Sequence, residues 1–174
     1  MRKVILYIAT TLDGYIADEH DGFSFLHEYD SVVEVQQSYE QLMKRIDTII
    51  MGRTTYDVIK ALGEWPYATT QSYIVSRSVH PQEQCNVTWI TDPVALINQL
   101  RTQSGRDIWL VGGAQLMKTF LENDLIDEYQ IAIIPKLIGT GKPLFLPHGL
   151  QDKLKLNHVE RMDDLVLLTY TTIQ

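Results

Sequence analysis

Met51-Gly52-Arg53-Thr54-Thr55-Tyr56 and Leu110-Val111-Gly112-Gly113-Ala114-Gln115-Leu116 each close an apolar run and open a helical one. Such a junction ends a strand and begins a helix, where unpaired backbone N–H groups and a partial positive charge accumulate. Two of them suggest a dinucleotide whose pyrophosphate lies between two helix N-termini.

Outward from these junctions the chain alternates strand and helix. Val4–Ile8 reads as a buried strand, followed by a long turn from Leu12 to Glu28 with the pairs Asp13-Gly14 and Asp21-Gly22. Val32, Val35, Tyr39, Leu42, Met43 and Ile46 recur at three- and four-residue steps, predicting a helix capped by Ser31. Then come strand Thr48–Met51, a short helix from Thr54, and strands Tyr73–Ser76 and Val87–Ile90. Thr91-Asp92-Pro93 supplies a cap and a first-turn proline for a helix ending near Gly105. Strand Ile108–Val111 leads into a helix burying Leu116, Phe120 and Leu121, and Asp127–Ile134 returns to the sheet. Lys155–Met162 and Leu165–Thr172 alternate around Asp163-Asp164 as a closing hairpin. The expectation is a three-layer α/β/α fold in one domain, 1–174, around a mixed, mostly parallel sheet of eight strands and four helices. Ligands in such folds bind beyond the carboxyl ends of the strands, where both junctions and the first turn converge.

Composition narrows the partners. A net charge of −7 with scattered basic residues disfavours nucleic acid. Val4–Ile8 is too short for a secretory signal and is interrupted by Asp13-Gly14, so a core strand and no membrane partner are expected. One cysteine, Cys85, excludes an intramolecular disulfide and points to a cytoplasmic protein. It sits in a Gln-rich loop without an activating partner.

The residues at the junctions suit phosphate. Gly52 permits close backbone approach, Thr54 and Thr55 add hydroxyl donors, and Arg53 offers a planar fork. Ser76-Arg77 brings a second arginine to the neighbouring strand end, as the additional phosphate of NADPH would require. Gly112-Gly113 lacks the three-glycine spacing of the Rossmann fingerprint. Two consecutive glycines instead imply a backbone that turns unusually or touches a flat ring.

Taken with Ala9-Thr10-Thr11-Leu12-Asp13-Gly14-Tyr15-Ile16-Ala17 and with Leu125-Ile126-Asp127-Glu128 running on to Pro135-Lys136-Leu137-Ile138-Gly139-Thr140-Gly141, these motifs resemble the dihydrofolate reductase-like superfamily. The resemblance covers nearly the whole chain and lies in the branch that includes the reductase domain of the bifunctional riboflavin-biosynthesis deaminase-reductase. It implies an NADPH-dependent oxidoreductase that transfers hydride to an imine-like or carbonyl carbon of a small substrate. By the same resemblance, Ala9 and Ile16 flank the nicotinamide and Gly52, Arg53, Thr54 and Thr55 hold phosphates. Ser76 and Arg77 take the adenosine end. Gly112 and Gly113, joined by a cis peptide, lie against nicotinamide and pyrophosphate, with Val111, Ala114, Gln115 and Leu116 along the same edge. A homodimer is implied as well.

Departures from that family shape the substrate side. Folate-reducing members carry an acid on the first helix where this chain has Gln36. Riboflavin-pathway reductases carry a lysine and a glutamate where it has Tyr7 and Val111. Tyr7 and Gln36 are the candidate substrate-pocket residues. The nearest named activity is 5-amino-6-(5-phosphoribosylamino)uracil reductase; dihydrofolate reductase and an NADPH-binding protein without catalysis are the alternatives.

Other groupings read as structural. Gly139-Thr140-Gly141-Lys142 lacks the spacing of a P-loop and is a turn. His20, His27, His80, His148 and His158 share no ligand-like spacing, so no metal is expected. Asp13 shapes its turn in preference to donating a proton. Asp127-Glu128 begins a strand on which neighbours face opposite ways. Trp65-Pro66-Tyr67 fits either a lid over the ligand or a plug in the core.

Overall fold

Two runs of apolar residues that alternate between faces build the centre of the sheet: Val4–Thr11 forms β1 and Asp107–Gly112 forms β6. The computed structural model describes residues 1–78, 86–149, 151 and 153–173, so His80 and Cys85 lie outside the described residues. Around this pair lie β3 (Ile46–Gly52), β4 (Gln71–Val75), β5 (Val87–Ile90), β7 (Glu128–Ile134), β9 (Leu154–Met162) and β10 (Leu165–Thr172). The order is β5-β4-β3-β6-β1-β7-β10-β9. Six strands from β5 to β7 run parallel, and β10 pairs antiparallel with both β7 and β9. This is the mixed, mostly parallel sheet of eight strands that the alternation foretells.

Four helices complete the layers: α1 (Val33–Arg45), α2 (Arg53–Ala61), α3 (Pro93–Thr102) and α4 (Ala114–Glu122). On one face Leu42 of α1 and Tyr56 of α2 pack with Ile5, Ile49, Met51, Ile74 and Trp109. On the other Ile97 and Leu100 of α3 and Leu116, Met117 and Phe120 of α4 cover Val4, Leu6, Ile50, Ile108 and Leu110. Adjacent residues of β1 thus enter different clusters, as a strand covered on both faces requires.

Some boundaries differ from expectation for local reasons. The helix after the first loop has no side-chain cap; its N-cap is Val32, not Ser31. A 3-10 segment, Ser24–Tyr29, runs into it and supplies the turn through backbone, with Val32 N–H donating to the Tyr29 carbonyl at 3.1 Å. The first long turn also holds a short strand, β2 (Tyr15–Ala17), paired with β8 (Lys142–Pro143). Gly141 makes that ribbon possible, since a Cβ there would come within 2.3 Å of the Ala17 carbonyl oxygen. By contrast α3 starts as read, with the Asp92 carboxylate accepting Ala95 N–H at 2.9 Å and Pro93 following.

The amino edge of the sheet is held by three arginine–carboxylate pairs. Arg2 binds Asp47 and the Thr48 hydroxyl, Arg101 binds Asp127 at 2.8 Å, and Arg45 grips Glu128 through two bonds of 2.7 and 2.9 Å. Asp127 and Glu128 therefore face α3 and α1 respectively, as strand neighbours should, and serve structure. Burial pushes the Glu128 carboxyl up, but the Arg45 fork and the Gln130 amide outweigh it and hold it below its ordinary value. A depressed carboxylate contributes stability that is complete above its unfolded-state value, about 4.3, and is lost as pH falls through the lower folded-state value. Urea denaturation between neutral pH and pH 3 is therefore expected to show a steeper acid loss for the wild type than for Glu128→Gln. At neutral pH Arg45→Ala, which strands the buried carboxylate, is expected to cost about 1.5–3 kcal/mol.

Candidate functional site

Parallel register decides which loops meet at the carboxyl edge. Gly52 at the end of β3 pairs with Val75 of β4, so Arg53 and Ser76 leave adjacent strands at the same level. On its other side β3 shifts register after Ile50, bringing Met51 opposite Gly112 of β6. β1 lies next to β6, and Ala9 sits near its end, paired with Ala132. The strand ends carrying Ala9, Gly112-Gly113, Gly52-Arg53 and Ser76 therefore form a continuous row.

Within that row two helix starts touch. A Cβ on Gly52 would lie 3.8 Å from both Gly112 O and Gly113 N, and one on Gly113 would lie 3.5 Å from Thr55 Oγ1. The Gly112–Gly113 peptide is cis, as the resemblance implied, and Gly112 has φ 123°. Gly52 and Gly113 are the N-cap residues of α2 and α4, and neither helix receives a side-chain cap bond or carries an acid in its first turn. Two helix dipoles and their leading N–H groups thus converge without a competing carboxylate.

The remaining cofactor candidates are placed as follows. Arg53 and Thr54 are exposed and Thr55 is half-buried. Arg53 meets Asp57 one turn along α2 at 3.3 Å, both about half exposed. Such a surface pair is worth about 0–1 kcal/mol. Ser76 N–H donates to the Ile90 carbonyl at 2.9 Å, and Arg77 is exposed beyond it. Val111, Ala114 and Ile16 are half-buried and Gln115 is exposed. Leu116 packs into the core beneath α4, so its side chain backs the edge and only its backbone faces the rim. Beside Ser76 the end of β5 and the start of α3 enclose a depression of about 330 Å³, lined by Ile90, Thr91, Leu96 and Gln99 among others. In the sequence Thr91-Asp92-Pro93 signals only a helix start, so nothing there marks the depression.

Below the rim, on the face of α1 and α2, lies an aromatic cluster. Tyr7, Tyr39 and Tyr67 each set a ring edge-on to Trp109, with centroids 6.1, 6.0 and 5.6 Å apart. Trp109 Nε1–H donates to the Tyr7 carbonyl at 3.0 Å, and the Tyr7 hydroxyl donates to Ser38 Oγ at 3.2 Å. Burial raises all three phenols above their ordinary value, so they remain protonated. Trp65 and Tyr67 are buried in the same cluster, which settles Trp65-Pro66-Tyr67 as a core plug. Tyr7 and Tyr67 stand out in the sequence, Tyr67 within Trp65-Pro66-Tyr67, whereas Tyr39 is hidden within the apolar rhythm of α1.

Gln36 is exposed, and its side-chain amide donates to the Asp30 carbonyl at 2.9 Å, closing the turn before α1. The residue that packs toward the sheet at this level is its neighbour Val35, against the cluster of Ile134, Met162, Leu165 and Leu167. The structure therefore places Gln36 at the margin of the expected pocket, turned toward the backbone, and α1 presents no carboxylate there. Asp13 acts as a clamp: its carboxylate accepts the Thr11 hydroxyl at 2.5 Å and the N–H groups of Ile138 and Gly139 at 3.0 and 2.8 Å. The Thr11 bond first, then these backbone donors, hold it ionised below the usual range, so it shapes the first loop and is a poor proton donor.

Residues 2–168 match the RibD C-terminal domain. The chain belongs to that family. It is 35% identical over 171 residues to YwjB of Bacillus subtilis (strain 168), an uncharacterized protein, covering 97% of each chain. A second uncharacterized protein of that organism, YyaP, is 28% identical over 89% of this chain and 86% of its own. A Shewanella sp. PV-4 crystal structure, described as a candidate riboflavin biosynthesis protein, superposes with a TM-score of 0.88 at 30% identity over 99% of both chains. The Thermotoga maritima diaminohydroxyphosphoribosylaminopyrimidine deaminase/5-amino-6-(5-phosphoribosylamino)uracil reductase aligns with 99% of this chain but 57% of its own, at TM-score 0.73 and 17% identity. That last match carries the fold, which is the dihydrofolate reductase-like arrangement of the reductase domain.

The two adjacent glycines differ in what they tolerate. Gly112→Ala forces a side chain into φ 123° and is expected to lower stability by about 1–3 kcal/mol, whereas Gly113, at φ −80°, accepts alanine with an ordinary 3.5 Å contact. Thermal unfolding of the two variants checks this; equal losses would contradict the geometry.

Proposed function

We propose that this protein is an NADPH-dependent reductase acting on a small heterocyclic or carbonyl/imine substrate. The observation that carries the reading is the contact of two uncapped, acid-free helix N-termini across Gly52 and Gly112-Gly113. In a chain of net charge −7 such a rim is suited to a dianionic pyrophosphate. The N-termini of α2 and α4, with Thr54 and Thr55, hold the phosphates; Arg53 and Arg77 take the 2′-phosphate side. The adenosine end lies along Ser76 and the depression after β5, while Ala9 and Ile16 flank the nicotinamide. When bound, NADPH supplies a hydride to an electrophilic carbon.

The substrate side rests on the chain's own groups. Tyr7, Tyr39 and Tyr67 give the pocket a neutral, hydrogen-bonding aromatic floor, suited to a planar ring with acceptor atoms. Membership of the RibD C-terminal domain family supports 5-amino-6-(5-phosphoribosylamino)uracil reduction as the nearest named activity. The outward Gln36 and apolar Val35 argue against dihydrofolate, whose reduction this family fold supports with a carboxylate on the first helix. One observation favours a second reading, a cofactor-binding protein without catalysis: Asp13, the acid in the first loop, is held ionised and occupied. Steady NADPH oxidation with any carbonyl or imine substrate eliminates that reading. The single cysteine fits a cytoplasmic setting.

Titration with NADPH and NADH, followed by tryptophan quenching, tests the cofactor site. Losing one charge-assisted phosphate contact costs about 1.5–3 kcal/mol, roughly ten- to a hundredfold. Arg53→Ala and Arg77→Ala are each expected to weaken NADPH by that factor and leave NADH nearly unchanged. Failure of the wild type to bind either nucleotide would overturn the proposal.

A further inference from the structure

On the sheet face that α1 covers, three neighbouring strands change character at the same level. Toward the carboxyl edge this face is apolar, with Ile134 of β7, Leu165 of β10 and Met162 of β9 packed with Val35 and the Ser24–Tyr29 segment. Further down, the register sets Ala132, Leu167 and Glu160 in one row and Gln130, Thr169 and His158 in the next. The face has turned polar, although a sheet covered by a helix is ordinarily apolar there. The result is a groove of about 230 Å³, walled by Ser38, Gln41 and Arg45 of α1 and by Gln130, Thr169 and Glu160 of the sheet. Buried Leu42 and Leu167 supply its apolar part. On β1 these levels correspond to Ala9, Tyr7 and, at Glu128, Ile5, so the groove runs from the rim toward the amino edge.

We propose that this groove binds a small organic ammonium ion, a primary amine on a short apolar stem. Its positive charge is already engaged: Arg45 donates to both Glu128 oxygens at 2.7 and 2.9 Å and to Asp107 at 3.2 Å. The Gln130 amide also donates to Glu128, at 2.6 Å, and among the described residues neither the Gln130 side-chain carbonyl nor the Thr169 hydroxyl has a hydrogen-bond partner. Of the two carboxylates that line the groove, Glu160 is the one no arginine holds. His158 Nε2 stands 4.0 Å from it, beyond hydrogen-bond reach. The Glu160 charge acts across the groove: burial most of all, opposed by the Ser38 hydrogen bond, and then this carboxylate raise the Tyr7 phenol. The unengaged groups are thus a carboxylate and two neutral oxygens, which match the three N–H donors of an ammonium group. Gln130 and Thr169 are directly opposed, and Glu160 lies one diagonal, ~7–8 Å, from Thr169, within the span of one small cation. An anion would meet Glu160 and Glu128 with no free arginine fork. The volume is below the ~300–1,000 Å³ of sites for drug-sized molecules, which restricts the ligand to a short stem against Leu42 and Leu167.

Titration of the full chain with propylammonium, propanol and propionate, which share size and differ in charge, tests this by amide NMR. Propylammonium is expected to shift the Gln130 and Gln41 side-chain amides and the Thr169 backbone amide saturably, and the other two are expected to leave them in place. Glu160→Gln, a near-isosteric change on a partly exposed strand, should weaken binding about fivefold or more, whereas Glu122→Gln on α4 should leave it unchanged. The groove holds neither of the helix N-termini assigned to the cofactor, so this titration and the NADPH titration succeed or fail separately. Equal shifts with propanol, no saturable shift with propylammonium, or binding undiminished by Glu160→Gln in folded protein would each overturn the proposal.

Discussion

The close approach of Gly52 to Gly112-Gly113 is the constraint around which the rim is organised. β3 and β6 are neighbours in the centre of the sheet, and both end in a helix start, so the N-termini of α2 and α4 lie side by side. The shift in register after Ile50 delivers Met51 to the level of Gly112, and a Cβ at Gly52 would stand in van der Waals contact with the Gly112-Gly113 backbone. The concentration of backbone donors there follows from strand order.

Opposite ends of the same sheet are treated differently. At the amino edge, acids are consumed by arginines: Asp47 by Arg2, Asp127 by Arg101, Glu128 by Arg45. At the carboxyl edge, the first turns of α2 and α4 have none. Carboxylates near this edge are engaged locally: Asp13 accepts two backbone N–H groups of the 138–139 turn and the Thr11 hydroxyl, Asp92 caps α3 and Asp57 pairs with Arg53. The net charge of −7 is thus unevenly spread over the sheet: its amino edge holds paired acids, and the first turns of α2 and α4 hold none.

Much of this was legible in the sequence, and the parts that were not have identifiable physical causes. The eight strands, the four helices and the row of strand ends follow from periodicity and from glycine and proline punctuation, because those signals are local. β2 and β8 were missed because a three-residue and a two-residue strand carry no periodicity of their own; their pairing exists only once Gly141 lets two distant loops touch. The Ser31 cap failed because a 3-10 turn supplied the same hydrogen-bonding service from backbone. A match of position to the folate-reducing members fixes where Gln36 lies along α1 but not which way it faces; the side chain toward the sheet is that of Val35. Tyr39 reads as core from its helical spacing and Tyr67 fits either a lid or a plug; both are core, and their shared edge-on packing with Tyr7 around Trp109 is a tertiary fact that no spacing announces.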